Sequence, residues 1–236
     1  MTRGQIVTSL PVAHIEFAPL HERVYSELRQ ALISGKFAPG QKLTSRKLAA
    51  ALGTSDMPVR AAISRLTAEG GLIQRSNGTF IVPMVSRPRF KDVMELRTLL
   101  EGRATALACG RIDRDGFRKL NKYADDLDDA SRREDIVTYL DINQKLKFTI
   151  YSYCASSTLH TLIEILWLQA GPVLRYHSQV LRGITDINFH RDAIAALERG
   201  DRAAAAKAIA RDIRAGMKTL LAIAQFGEDD GASSSV

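Results

Sequence analysis

Apolar residues recur with helical spacing through most of this chain. Leu20, Val24, Leu28 and Leu32 fall four apart, one face of a helix, and the pattern stops at Gly35. After a turn around Pro39-Gly40, Leu48 and Leu52 repeat the spacing in a short helix that Ser45 can cap, with Gly53 placed for a left-handed end. Ser55 can cap the next helix, which tolerates Pro58 in its first turn and directs Val59, Ile63 and Leu66 inward until Gly70-Gly71. Two short helices joined by a glycine-containing turn predict a helix-turn-helix. A polar turn at Asn77-Gly78 followed by Thr79-Phe80-Ile81-Val82 predicts a hairpin placed as a wing.

Beyond residue 90 nothing reads as a strand. Val93, Leu96, Leu99, Leu100, Ala104 and Leu107 make a helix ended by Gly110, and Asp113 opens another through Phe117, Leu120, Tyr123 and Leu127. Helical patterns continue over about 134–154, 158–182, 187–199 and 201–225, with Gly200-Asp201 as a stop followed by a cap. The expected architecture is mainly α: a winged helix-turn-helix at 19–84, a linker at 85–91 around Pro88, and an all-helical bundle at 92–226. Residues 1–18 read as a flexible arm and 227–236 as a disordered tail.

Charge adds a direction to this division. Residues 1–90 carry 12 Lys and Arg against 5 Asp and Glu, the whole of the net +7, while 91–236 hold 21 of each. A positive field confined to one module suits attraction to phosphate and is not required for folding. Two cysteines, Cys109 and Cys154, are too few for a disulfide framework and fit a reducing cytoplasm. No signal pattern and no apolar run of about 18 residues is present, so the expected location is cytoplasmic, away from membrane.

The ordered set Gly35, Pro39-Gly40-Gln41-Lys42-Leu43, Leu48-Ala49, Leu52-Gly53, Pro58-Val59-Arg60, Arg65-Leu66, Glu69-Gly70 and Asn77-Gly78 resembles the N-terminal domain of the GntR superfamily of bacterial transcription regulators. The resemblance implies contact with double-stranded operator DNA through Arg46, Ser55, Arg60 and the wing tip at Asn77 and Gly78. Guanidinium forks suit phosphate or guanine. Where the family usually has arginine then threonine after the serine, this chain has Asp56 and Met57, and Ala61 replaces a glutamate. An aspartate there suits the helix dipole but repels phosphate, unless it accepts from a cytosine amino group. The departures imply an altered operator preference or weaker binding. As a bland alternative, Arg60 is a surface residue balancing Glu69.

Glu95-Leu96-Arg97 with Glu101 and Ala104, Asp141-Ile142-Asn143 through Leu146-Lys147, His190 with Ile194 and Ala195, and Gly200-Asp201 resemble the FCD ligand-binding domain of FadR-like GntR regulators. That resemblance implies a helical bundle that binds a small organic-acid effector, often beside a divalent metal, and helps form a homodimer. Metal-binding relatives place ligands at positions that here are Asn143, Lys147, His190 and Asp212, of which only His190 keeps the family's type. Lys147 offers three donors and no acceptor, so no tightly bound metal and no other cofactor is expected. Lys147 can instead form an ion pair with Asp212, or supply the positive charge that receives an effector anion, with Arg97 as a further candidate. His190 reads as a hydrogen-bonded core histidine or an effector contact. Trp167 reads as core, and Asp125-Asp126 with Asp128-Asp129 as a solvated acidic face.

No phosphate loop, nucleophile elbow or zinc-cysteine motif occurs, and no catalytic residue is assigned. The expected function is a sequence-specific transcription regulator, a repressor by resemblance. Two rivals are a sensor of the same fold that has lost specific DNA binding, supported by Asp56, and a metal-dependent enzyme, opposed by the depleted ligand set.

Overall fold

The computed structural model of the chain describes residues 20–174, 176 and 189–228. The expected arm, the tail from 229, and the stretches 177–182 and 187–188 read as helical lie outside the described residues. Helix α1 (Leu20–Ile33) is followed by β1 (Lys42–Leu43), α2 (Ser45–Leu52), α3 (Asp56–Ala68), β2 (Ile73–Gln74) and β3 (Phe80–Ile81). The strands form an antiparallel sheet in the order β1-β3-β2, with Leu43 opposite Phe80 and Ile73 opposite Ile81. Then come α4 (Arg87–Ala108), α5 (Arg114–Arg132), α6 (Ile136–Ser152), α7 (Ser157–Leu174), α8 (Phe189–Glu198) and α9 (Arg202–Ile223). A winged helix-turn-helix thus precedes a helical bundle, as the hydrophobic pattern predicts.

Local chemistry explains the elements. Val59, Ile63 and Leu66 are fully buried beneath α1, each burial contributing roughly 1.5–3 kcal/mol. Gly53 closes α2 at φ 62°, accepting the left-handed conformation that costs a side-chain-bearing residue more. The cap of α2 is Thr44 rather than Ser45: Thr44 is extended and its hydroxyl accepts from Lys47 N at 3.3 Å. Ser55 occupies the N-cap position of α3, but its side chain makes no cap bond. That end is exposed, and water can satisfy it.

The expected linker is shorter than its prolines suggest. Ser86 caps α4 by accepting from Arg89 N, so residues 87–91 form its first turn. Pro88 fits there because the first turn needs no amide donor. The start of the expected tail is likewise held: Gly227 bridges to Ser86, its N–H donates to Val85 O at 3.0 Å, and Phe226 lies 5.5 Å from the Phe90 ring.

The two halves meet along α1 and α7. Gly171 lies so close to α1 that a Cβ would sit 2.5 Å from Leu32 O. Around this contact Arg29 Nη1 donates to Glu164 at 3.3 Å, and Gln169 Nε2 donates to Glu69 O at 3.2 Å. Gln30 and Gln144 exchange amide bonds at 2.8 and 3.1 Å. The acidic face of α5 is not merely solvated, since Asp125 and Asp128 accept from Arg191 on α8.

Candidate functional site

Two sites emerge. The first is the N-terminal end of α3. Its inward stripe fixes which residues face out: Ser55, Met57 and Arg60 are exposed, Met57 at 80% of its surface. Arg46, on the first turn of α2, is exposed too and lies close enough to help depress the Asp56 carboxyl. The wing tip carries Asn77 and Gly78, both exposed. Asn77 Oδ1 accepts from Thr79 N at 3.1 Å and Gly78 sits at φ 76°, the left-handed geometry that tightens the turn.

Asp56 has a partner that the sequence reading did not give it. Its Oδ2 accepts from Arg60 Nε, one helical turn on, and the Ser45 hydroxyl and then Arg60 hold the carboxyl below its ordinary range. Arg60 therefore balances Asp56, not Glu69. Glu69 belongs to Arg65, which donates to it at 3.0 Å and stacks 3.8 Å from the Tyr25 ring centroid. Tyr25 donates to the same carboxylate at 2.7 Å, and burial followed by that bond pushes its hydroxyl up to about 12. Arg65 thus ties α3 to α1, away from the exposed N-terminal end of α3.

The second site is a cavity of about 80 Å³ in the bundle. Arg97, Asn143, Lys147 and Asp212 line it together, from α4, α6 and α9. Lys147 Nζ lies 2.5 Å from Asp212 Oδ2, and Arg97 Nε donates to Glu101 at 2.6 Å. Tyr151 donates to the other Glu101 oxygen at 2.5 Å. Both cations also stack on Trp167, Arg97 at 4.1 Å and Lys147 at 5.7 Å from its ring centroid. Although burial would raise it, the adjacent Lys147 ammonium holds Asp212 down at about 2. His190 is not a wall residue. It is buried behind Asn143, whose Oδ1 lies 2.8 Å from Nε2; burial lowers its pKa, with Lys147 adding to that and Asp212, 3.8 Å away, opposing it.

The donor set does not suit a divalent cation. An ammonium stands among the four positions, His190 Nε2 is engaged by Asn143, and only Asp212 offers an anionic oxygen. Sequence reasoning missed Trp167 as a wall residue, together with Tyr139, Gln144, Phe189 and, from α1, Ile33 and Ser34. No spacing signal marks them, because the cavity is assembled from six helices and the residue beyond α1.

Residues 20–82 match the bacterial regulatory proteins of the gntR family, and residues 92–215 match the FCD domain. The chain belongs to the GntR family of bacterial regulatory proteins, in the FadR-like branch that carries an FCD domain, and is a transcription regulator rather than an enzyme. It is similar to the HTH-type transcriptional regulator McbR of Escherichia coli (strain K12): 30% identical over 154 residues, 65% of this chain and 70% of McbR. The solved structure of E. coli McbR/YncC superposes with a TM-score of 0.82 at 26% identity, covering 86% of this chain and 98% of that one. A shorter likeness, 39% over 79 residues, joins it to the Nta operon transcriptional regulator of Aminobacter aminovorans, covering 34% of this chain and 38% of that protein.

Proposed function

We propose that the chain is a cytoplasmic homodimer that binds a two-fold operator in double-stranded DNA and responds to a small organic acid held in the helical cavity. The observation that carries the DNA half is the exposure of Arg46, Met57 and Arg60 at one end of a module that bears the whole net positive charge. Helix α3 would enter the major groove by its N-terminus, with half-sites of the dimer about one helical turn apart. The spare donors of Lys147 and Arg97 support an acid in the cavity, because each cation spends only part of its hydrogen-bonding capacity on its own carboxylate. Repression is the direction the family resemblance implies.

The Asp56–Arg60 pair favours a second reading, a sensor whose specific DNA binding has been lost. A gel-shift assay on the protein's own promoter region separates the two. Binding that prefers this sequence and weakens steeply with salt is expected; absent or salt-insensitive binding would establish the sensor instead. For the cavity, a thermal-shift screen against small mono- and dicarboxylates is expected to raise the melting temperature of the wild type but not of Lys147→Met.

A further inference from the structure

The reading end of α3 contains one polar arrangement that stability does not explain. Arg60 and Asp56 are side chains on an exposed helix terminus, with 69% and 35% of their surface in water. Such a pair contributes little to folding. What it does fix is geometry. Asp56 Oδ2 takes the Nε–H of Arg60, which leaves the two terminal nitrogens, Nη1 and Nη2, without a partner among the described residues. Asp56 Oδ1 is buried and has no hydrogen-bond partner among the described residues, so it is turned away from any base and the carboxylate meets the surface through the Oδ2 that holds Arg60. The bond this carboxylate makes is thus to Arg60, which gives it a task other than reading cytosine.

A second, independent feature lies one turn away. Met57 is the most exposed large apolar residue of the described chain, standing beside Arg60 on the same helix end. An apolar side chain held in water gains by meeting an apolar group, and the major groove offers one, the C5 methyl of thymine. Residues three apart lie on one face of a helix, so Arg60 and Met57 meet the same short run of base pairs.

We infer that Asp56 is a positioning residue for DNA reading: by holding Arg60 Nε it presents the Nη1–Nη2 end of the guanidinium to O6 and N7 of a guanine, with Met57 against the methyl of an adjacent thymine. The inference deepens the operator-binding reading and rests on it. In the desolvated groove the pair does what it does not do in water. It pre-orders a long side chain that would otherwise lose rotamer freedom on binding, and it screens Arg60 from neighbouring phosphates, so the cation is spent on a base.

The experiment is a selection of random-sequence duplexes by the full-length protein, followed by base-analogue substitution in the winning site. The wild type is expected to enrich duplexes with a guanine in each half-site beside a T·A pair. Replacing that guanine with 7-deazaguanine, which lacks the N7 acceptor, is expected to lower wild-type affinity about 10-fold. Asp56→Ala is expected to lose most of that penalty, Asp56→Asn, which keeps a weaker neutral acceptor for Nε–H, a smaller part of it, and Met57→Ala to become indifferent to deoxyuridine in place of the thymine. The isosteric Asp56→Asn guards against a change in the helix end itself. An enriched site with no shared guanine, or a full 7-deazaguanine penalty in both Asp56 variants, overturns the inference while leaving operator binding intact. A wild type that enriches nothing and binds no duplex overturns the operator reading beneath it.

Discussion

At the scale of single residues, the cavity is a place where protons and charges are already committed. Burial, helped by Lys147 and opposed by Asp212, holds the His190 pKa below the ordinary 6.5. Below that value the unfolded chain takes up a proton that the folded chain refuses. The stability tied to this residue is therefore full above 6.5 and declines as pH falls. The melting temperature is expected to drop between about pH 7 and about pH 5, and His190→Gln to flatten that drop in a thermal melt. Asp212 works in a separate window. Its depressed carboxyl contributes above its ordinary 3.8 and is lost as pH falls toward about 2. Truncating Lys147 to Met strands this carboxylate. The expected cost in denaturant unfolding is about 3 kcal/mol, at the low end for a broken buried pair because Asp212 keeps a fifth of its side chain in water. Changing Asp212 to Leu in the same chain should recover much of that loss, since no charge is then left without its partner.

At the scale of elements, what the sequence reveals depends on how local the determining contact is. The helices announce themselves through apolar spacing, and Asp113, Asp135 and Asp201 each cap the helix that follows by accepting from its third residue. The wing is legible because Asn77-Gly78 is a turn whatever surrounds it. The start of α4 is not, since Pro88 reads as a breaker until Ser86 is seen capping the turn that contains it. The pairing of Lys147 with Asp212 spans α6 and α9. Family resemblance brings those two positions together; no period in the sequence does. Arg60 and Asp56 stand only four apart, yet Glu69 caps the other end of the same helix, and only the structure shows that Arg65 already holds it. The contact between α1 and α7 is invisible in sequence for the same reason. Gly171 is conspicuous only once Leu32 is known to cross it. Gly171→Ala is expected to push the two helices apart, at about 1–3 kcal/mol measured by chemical denaturation.

At the scale of the whole molecule, α1 joins the two sites. Ile33 at the end of α1 and Ser34 just beyond it line the cavity, and α1 also carries Tyr25, which is bonded to Glu69 at the end of α3. A ligand that shifts this corner moves the element on which the reading helix rests. Coupling of this kind is reciprocal: operator DNA and cavity ligand must alter one another's affinity by the same factor, commonly between about 5- and 150-fold. Gln30→Ala removes the paired amides that join α1 to α6, and it is expected to shrink that factor while leaving each separate affinity close to the wild-type value. Titrating a carboxylate that raises the melting temperature, with and without promoter DNA, measures the factor from both directions.

The clasp between Gly227 and the Val85–Ser86 backbone gives the bundle an unusual mechanical property. Helix α9 carries Asp212 at mid-length and runs on, about 33 Å in all, to the very joint from which α4 departs. A push at the carboxylate would therefore have a stiff rod along which to reach that joint. A chain shortened to end at Ile223 would keep its cavity residues but cut the rod loose from the joint at Val85–Ser86.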